Sequence, residues 1–170
     1  MDFTFYLDKF QTAANKLDKK QLKKKQVEVA VGIVLNSAFL KLYKKAWANS
    51  SPDPLTSPTR IFFSAWIGDQ AIQQQKIYYN IHALKLRHLD GYAIKSRDFA
   101  DKFRAGFKKF AANWPNVSVK FGPLTLMEGW VELDMENFQE TISTLANSFL
   151  EIEHLIDDTL KTFEKPVIKK

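Results

Sequence analysis

A long apolar stripe near the C-terminal end constrains the fold of this chain most strongly. It comprises Phe138, Ile142, Leu145, Phe149, Ile152, Ile156 and Phe163. Residues three or four positions apart share one face of a helix, so this spacing predicts an amphipathic helix. Asp134 is placed to cap its start and Pro166 to end it, over about eight turns. Such a helix needs a second surface on which to bury its apolar face.

Alternating apolar residues predict that this surface is a β-sheet. The β-branched run that starts at Val27 and the aromatic run that starts at Arg60 both alternate with a period of two. The residues after Val117 and after Leu124 predict a hairpin, because a Gly-Pro pair separates them. We therefore expect an antiparallel sheet against which the C-terminal helix packs.

The sequence pattern does not decide the secondary structure of two stretches. Residues 38–47 fit either a helix capped by Ser37 or the second strand of a hairpin. Residues 75–87 fit a strand that starts at Gln75, with a bulge to explain a change of face, or a helix. The paired tyrosines favour the strand in the second case.

Two more amphipathic helices complete the predicted fold, an α+β single domain. One helix starts at Phe3 with Asp2 as its cap, and a second starts near Arg97 with Ser96 as its cap. A chain of 170 residues can close one hydrophobic core. We expect residues 1–165 to form this domain, with the long C-terminal helix from Met135 onward, and residues 166–170 to form a flexible basic tail.

Charge is distributed unevenly along the chain. Residues 1–126 carry 21 Lys and Arg against 9 Asp and Glu, whereas residues 127–170 carry 4 against 10. We expect the acidic C-terminal helix to pack beside a basic element, most simply the N-terminal helix. The remaining positive charge predicts a basic face that attracts an anionic partner.

The basic residues with the fewest acidic neighbours lie on the predicted helix near residue 97. They are Arg97, Lys102, Arg104, Lys108 and Lys109. This pattern predicts a non-enzymatic cytoplasmic interaction protein whose partner is nucleic acid or an acidic protein. A homodimer through the apolar stripe of the C-terminal helix is an alternative, in which charged residues at Phe149 or Ile152 would give a monomer. No membrane association is expected.

Candidate chemical groups are few. His82, His88 and Asp90 are the weak candidates for acid–base catalysis, so an enzyme whose site is assembled from distant residues is a further alternative. The spacing of Glu151, His154 and Asp158 on one helical face could bind a metal, although solvated acidic helices often contain such clusters. The chain contains no cysteine and no glycine-rich phosphate loop. We expect no cofactor and no metal.

Overall fold

The chain forms a five-stranded antiparallel sheet in which sequential strands are neighbours. The computed structural model describes residues 3–50 and 52–166. The strands are β1 (Glu28–Val34), β2 (Ser37–Tyr43), β3 (Arg60–Gly68), β4 (Lys76–Leu84) and β5 (Thr125–Glu132). Their order in the sheet is β1-β2-β3-β4-β5, with every neighbouring pair antiparallel. The predicted α+β single domain is confirmed.

The structure decides both of the open stretches in favour of strands. Residues 38–47 hold most of β2, which forms a hairpin with β1. Residues 75–87 hold β4, and its pairing with β5 is irregular at Ile81 and His82. The extra residue of this bulge lies in β5, because Ile81 pairs with Met127 and His82 with Thr125. The bulge does not explain why the apolar residues after β4 change face. The left-handed backbone of Lys85 explains it.

The strand predicted from Val117 does not form. Within that stretch, Ser118 makes an isolated bridge with Glu128, through two backbone hydrogen bonds. The following residues turn away from β5, and their carbonyl groups are held by Arg104. The prediction missed this because a helix side chain, distant in sequence, satisfies backbone groups that a strand would otherwise pair.

The described residues form five α-helices. They are α1 (Thr4–Asn15), α2 (Lys19–Lys25), α3 (Asp69–Gln73), α4 (Ser96–Phe107) and α5 (Phe138–Lys161). The lysine-rich stretch is helical because Asp18 accepts hydrogen bonds from the first-turn amides and Leu22 is buried. Asp134 caps a 3₁₀ turn that leads into α5, as predicted. Lys95, not Ser96, is the N-cap of α4, and the predicted cap Asp2 and tail residues 167–170 lie outside the described residues.

The apolar stripe of α5 packs inside the chain. Phe149 is fully buried and stacks on Phe63 of β3, with ring centroids 4.8 Å apart. Ile152 is also buried, and Phe10 of α1 contacts Phe138 edge to face at 5.2 Å. The acidic helix therefore packs against both the sheet and α1. None of the described helices is long and apolar enough to cross a membrane.

The turn between β1 and β2 contains a leucine in an unusual conformation. Leu35 and Asn36 both have positive φ, 48° and 60°, and the Leu35 side chain is 93% exposed. This two-residue turn matches the twist of the hairpin, but a left-handed conformation costs about 1–2 kcal/mol for an ordinary L-residue. Asparagine and glycine are the residues that this turn favours.

We expect Leu35→Asn to stabilise the protein. Asparagine tolerates the left-handed region, so the free energy of unfolding should rise by about 1 kcal/mol. Urea denaturation of both proteins measures this difference. A loss of stability would show that the Leu35 side chain contributes more through contacts than its backbone costs.

Candidate functional site

A cavity opens on the face of the sheet opposite the one that packs against α5. Its volume is about 300 Å³. We call it the sheet-face pocket, and its lining residues are Val34, Leu35, Ser37, Phe39, Lys41, Phe62, Ser64, Trp66, Asn80 and His82. All of them come from β2, β3, β4 and the β1–β2 hairpin. This volume is at the lower end of the range for small-molecule sites.

Strand register places a row of four polar residues across the sheet, and the first three of them line the pocket. Lys41 pairs with Ser64, Ser64 with Asn80, and Asn80 with Glu128 on the neighbouring strand. Directly paired residues point to the same face of a sheet. Four strands therefore bring a lysine, a serine, an asparagine and a glutamate together on one line.

A row of aromatic residues runs beside the polar row, and its members Phe39 and Trp66 form one wall of the pocket. Phe39 pairs with Trp66, Trp66 with Tyr78, and Tyr78 with Trp130. The Trp66 and Tyr78 rings stack at 5.6 Å, and Lys76 Nζ lies 4.1 Å from the Trp130 ring centroid. On the other side of the polar row, Phe62 stacks on His82 at 5.5 Å. The polar groups thus lie between apolar ring surfaces.

Asn80 presents a buried acceptor with no partner. The residue is 2% exposed, and its Nδ2 donates to Glu128 Oε1 at 3.2 Å and lies within hydrogen-bond distance of His82 Nε2. Asn80 Oδ1 has no hydrogen-bond partner among the described residues. Because a carboxylate can only accept, Glu128 fixes which end of the amide is the donor. Leaving such an oxygen unpaired costs about 1–3 kcal/mol, so this position is costly unless a ligand uses it.

Lys41 carries a positive charge between two aromatic rings. Its Nζ lies 4.4 Å from the Phe39 ring centroid and 4.7 Å from that of Phe62. No ion pair of the described residues involves it. Burial first, and the Arg60 guanidinium second, lower the pKa of Lys41, while Asp53 opposes them. The ammonium group is therefore partly dehydrated and attracts an anion.

His82 is held in its neutral form. Burial, followed by the positive charges of Lys41 and Arg60, lowers its pKa, and a hydrogen bond with the Leu124 backbone opposes the shift. A neutral imidazole that donates to this carbonyl keeps Nε2 as an acceptor for Asn80. The histidine therefore helps to hold the Asn80 amide in place.

We expect His82 to make folding stability depend on pH. Because its folded pKa lies below the unfolded value, stability is full above the ordinary histidine pKa and falls as the pH drops below it. The free energy of unfolding should therefore fall more between about pH 7.5 and about pH 5.5 in the wild-type protein than in His82→Gln. Urea denaturation at both pH values measures the two losses. Equal losses would mean that His82 does not titrate differently on folding.

The three predicted catalytic residues do not come together. His82 lines the sheet-face pocket, whereas His88 lines a different cavity, beside Asn49. Asn49 accepts a hydrogen bond from the backbone N–H of Asp90 and donates one to the backbone carbonyl of His88. Both His88 and Asp90 are exposed. Only His82 therefore belongs to the candidate site.

The predicted basic face divides into two parts. Arg104 donates hydrogen bonds to the carbonyl groups of Phe121, Gly122, Thr125 and Leu126, so its guanidinium holds the loop before β5. The other four residues are exposed on α4 and the following 3₁₀ turn. We call them the α4 basic patch: Arg97, Lys102, Lys108 and Lys109.

The acidic cluster on α5 faces away from the core. Glu151, His154 and Asp158 are all exposed, and the His154 ring contacts Phe110 edge to face at 6.0 Å. Among residues 3–50 and 52–166, no group of three His, Asp or Glu side chains is placed to hold a metal ion.

The sequence analysis missed the pocket residues other than His82. Lys41, Ser64 and Asn80 occupy alternate positions in strands whose other face is apolar. A signal was present, because such positions line one sheet face together once the register is known. Comparison with protein-family models, with curated proteins and with solved structures finds no match to this chain.

Proposed function

We propose that this protein binds a small, mostly apolar organic molecule in the sheet-face pocket. The observation that carries the proposal is the buried Oδ1 of Asn80, which has no partner among the described residues and belongs to a residue lining a cavity with aromatic walls. Ligand sites combine apolar walls with a few convergent polar groups, and Lys41, Ser64 and Asn80 supply such groups here. A catalytic role has less support, because His82 lies in the pocket without a paired acid from the predicted set.

A fragment screen against two variants tests the proposal. Ser64 lies at the middle of the polar row and is buried, so Ser64→Leu should fill the pocket. Ser143 is half-buried on α5, outside the sheet-face pocket, and Ser143→Leu is the matched control. We expect mono- and bicyclic aromatic fragments to give saturation-transfer NMR signals with wild type and Ser143→Leu but not with Ser64→Leu. Equal signals from all three proteins, or no signal from wild type, would contradict the proposal.

The α4 basic patch supports a second candidate function, binding of nucleic acid or an acidic protein in the cytoplasm. Its four exposed cations lie on α4 and on the 3₁₀ turn that follows it, and none of the ion pairs of the described residues involves them. Exposed Asp98 and Asp101 lie on the same helix and reduce the net charge. The electrostatic case for this face is therefore weaker than the case for the pocket.

Binding of a fluorescent single-stranded oligonucleotide tests this second function. Replacing Arg97, Lys102, Lys108 and Lys109 by alanine should weaken binding and reduce its salt dependence by about four ionic contacts at most. Replacement of the four exposed lysines of α2 (Lys19, Lys20, Lys23 and Lys24) is the matched control for net charge. Equal losses in both variants would indicate non-specific attraction and contradict a site on α4.

A further inference from the structure

We infer that the ligand of the sheet-face pocket is a planar anion that also carries an N–H or O–H donor on the side opposite its anionic group. The inference rests on the proposed function and names the chemical class of the ligand. It follows from three features of the pocket: a cation that no described carboxylate pairs with, an acceptor that no described residue donates to, and flat walls.

The ammonium group of Lys41 is the reason to expect an anionic group on the ligand. Lys41 Nζ lies between the Phe39 and Phe62 rings, at 4.4 and 4.7 Å from their centroids. Arg60 adds a second positive charge next to Phe62, at 5.3 Å from the ring centroid. Aromatic rings attract a cation but do not neutralise it, and an ion pair with a ligand carboxylate is stronger in a partly dehydrated site than in water. The pocket therefore selects an anion at this end.

The side-chain oxygen of Asn80 is the reason to expect a hydrogen-bond donor on the ligand. Glu128 and His82 both engage Nδ2 of Asn80, so the amide cannot turn to present its nitrogen without placing Oδ1 against the Glu128 carboxylate. Asn80 Oδ1 is thus a fixed acceptor. A ligand N–H or O–H satisfies it, whereas a ligand with only an acceptor or a methyl group there leaves it buried and unpaired.

Strand geometry limits the size of the ligand. Lys41 and Asn80 lie in one cross-strand row with Ser64 between them, so their Cα atoms are two strand spacings, or about 10 Å, apart. Their side-chain ends approach each other more closely. The walls on either side of this row are rings, Phe39 and Trp66 on one side and Phe62 on the other. A single or fused pair of aromatic rings spans this distance.

Three matched probes test the inference by isothermal titration calorimetry. Indole-5-carboxylate has the ring, the anion and an N–H at opposite ends; indole lacks the anion, and 1-methylindole-5-carboxylate lacks the donor. We expect the first to bind wild type at least about tenfold more tightly than either of the others, which is the size of one hydrogen bond or ion pair in such a site.

Two variants test whether Lys41 causes the preference for the anionic probe. In Lys41→Met the preference for indole-5-carboxylate over indole should disappear while indole still binds. Exposed Lys120→Met is the control and should keep the preference. Circular dichroism verifies that both variants are folded, and Lys41→Arg, which keeps the charge, should retain the preference for the anion.

The outcomes separate this inference from the proposed function. Equal binding of the three probes to wild type would overturn the ligand class and leave the pocket as a binding site. A Lys41→Met protein that keeps the preference for the anion would overturn the ligand class in the same way. Absence of binding by all three probes would also overturn it, and the fragment screen with Ser64→Leu then decides separately whether the pocket binds any ligand.

Discussion

Phe149→Asp should prevent folding rather than convert a dimer into a monomer. Phe149 is fully buried, stacked on Phe63 and in edge contact with Trp47 at 6.1 Å. A carboxylate at this position has no partner in the core, and burying an unpaired charge costs more than the total stability of about 5–15 kcal/mol that a domain has. We expect the variant to show the circular dichroism spectrum of an unfolded chain.

A milder substitution keeps this prediction measurable. Phe149→Ala should remain folded and lose about 3–5 kcal/mol, because it removes the ring and leaves a cavity between α5 and β3. Glu151→Ala, on the exposed face of the same helix, should change stability by less than about 0.5 kcal/mol. A folded, monomeric Phe149→Asp protein obtained from a wild-type dimer would contradict this packing and support the dimer through α5.

Lys44→Met should be the most destabilising substitution of a charged residue. Lys44 Nζ contacts Glu153 at 2.6 Å and Asp157 at 2.5 Å, and Asp157 also accepts a hydrogen bond from Trp47 Nε1 at 2.8 Å. Without the lysine, Glu153, which is 4% exposed, keeps Lys25 at 3.6 Å as its one ion-pair partner among the described residues. Breaking a buried ion pair costs about 3–5 kcal/mol, because one charge remains uncompensated.

The double variant separates the charge from the packing. Lys44→Met with Glu153→Leu removes both partners, so it should be more stable than Lys44→Met alone when both are measured by urea denaturation. Burial alone would lower the pKa of Lys44, but its hydrogen bonds with Asp157 and Glu153 outweigh this and raise it. The stability from this lysine is therefore full at neutral pH and falls as the pH rises through its pKa. Additive losses in the double variant would show that the two charges do not interact.

The three longest helices, α1, α4 and α5, could be predicted because their signals are local. The cap at Asp134 and the stripe from Phe138 to Ile156 lie within one continuous segment, and the structure confirms both, although α5 ends at Lys161, before Phe163 and Pro166. The strand predicted from Val117 failed for a tertiary reason, since the backbone of the following loop bonds to Arg104, which lies on α4. Sequence patterns describe a residue's own segment, whereas this loop is held by a side chain from elsewhere.

Charge patterns were less informative than periodicity. Arg104 was grouped with the basic residues of α4, yet it donates four hydrogen bonds to backbone carbonyl groups. The acidic residues of α5 also differ in role, because Glu153 is buried in an ion pair while Glu151 is exposed. Net charge could not separate these cases, since it does not record which side of a helix is buried.

The sheet-face pocket could not be predicted because it depends on register. Lys41, Ser64 and Asn80 are separated by 16 or more residues in sequence, and only the pairing of β2, β3 and β4 places them on one line. A slip of one residue in any strand would turn its polar side chain toward the core. His82 was selected for its chemistry, but the hydrogen bond between its partner Asn80 and Glu128 depends on the pairing of β4 with β5, which the sequence alone does not give.

An NMR titration of labelled protein with indole-5-carboxylate tests the central claim most directly. We predict that the largest chemical-shift changes occur at the Trp66 indole N–H and the Asn80 side-chain amide, and that the buried Trp114 indole changes little. These changes should saturate with the same affinity that calorimetry measures. Shift changes confined to the α4 basic patch, or absent from Trp66 and Asn80 while the probe binds, would contradict the assignment of the sheet-face pocket as the functional site.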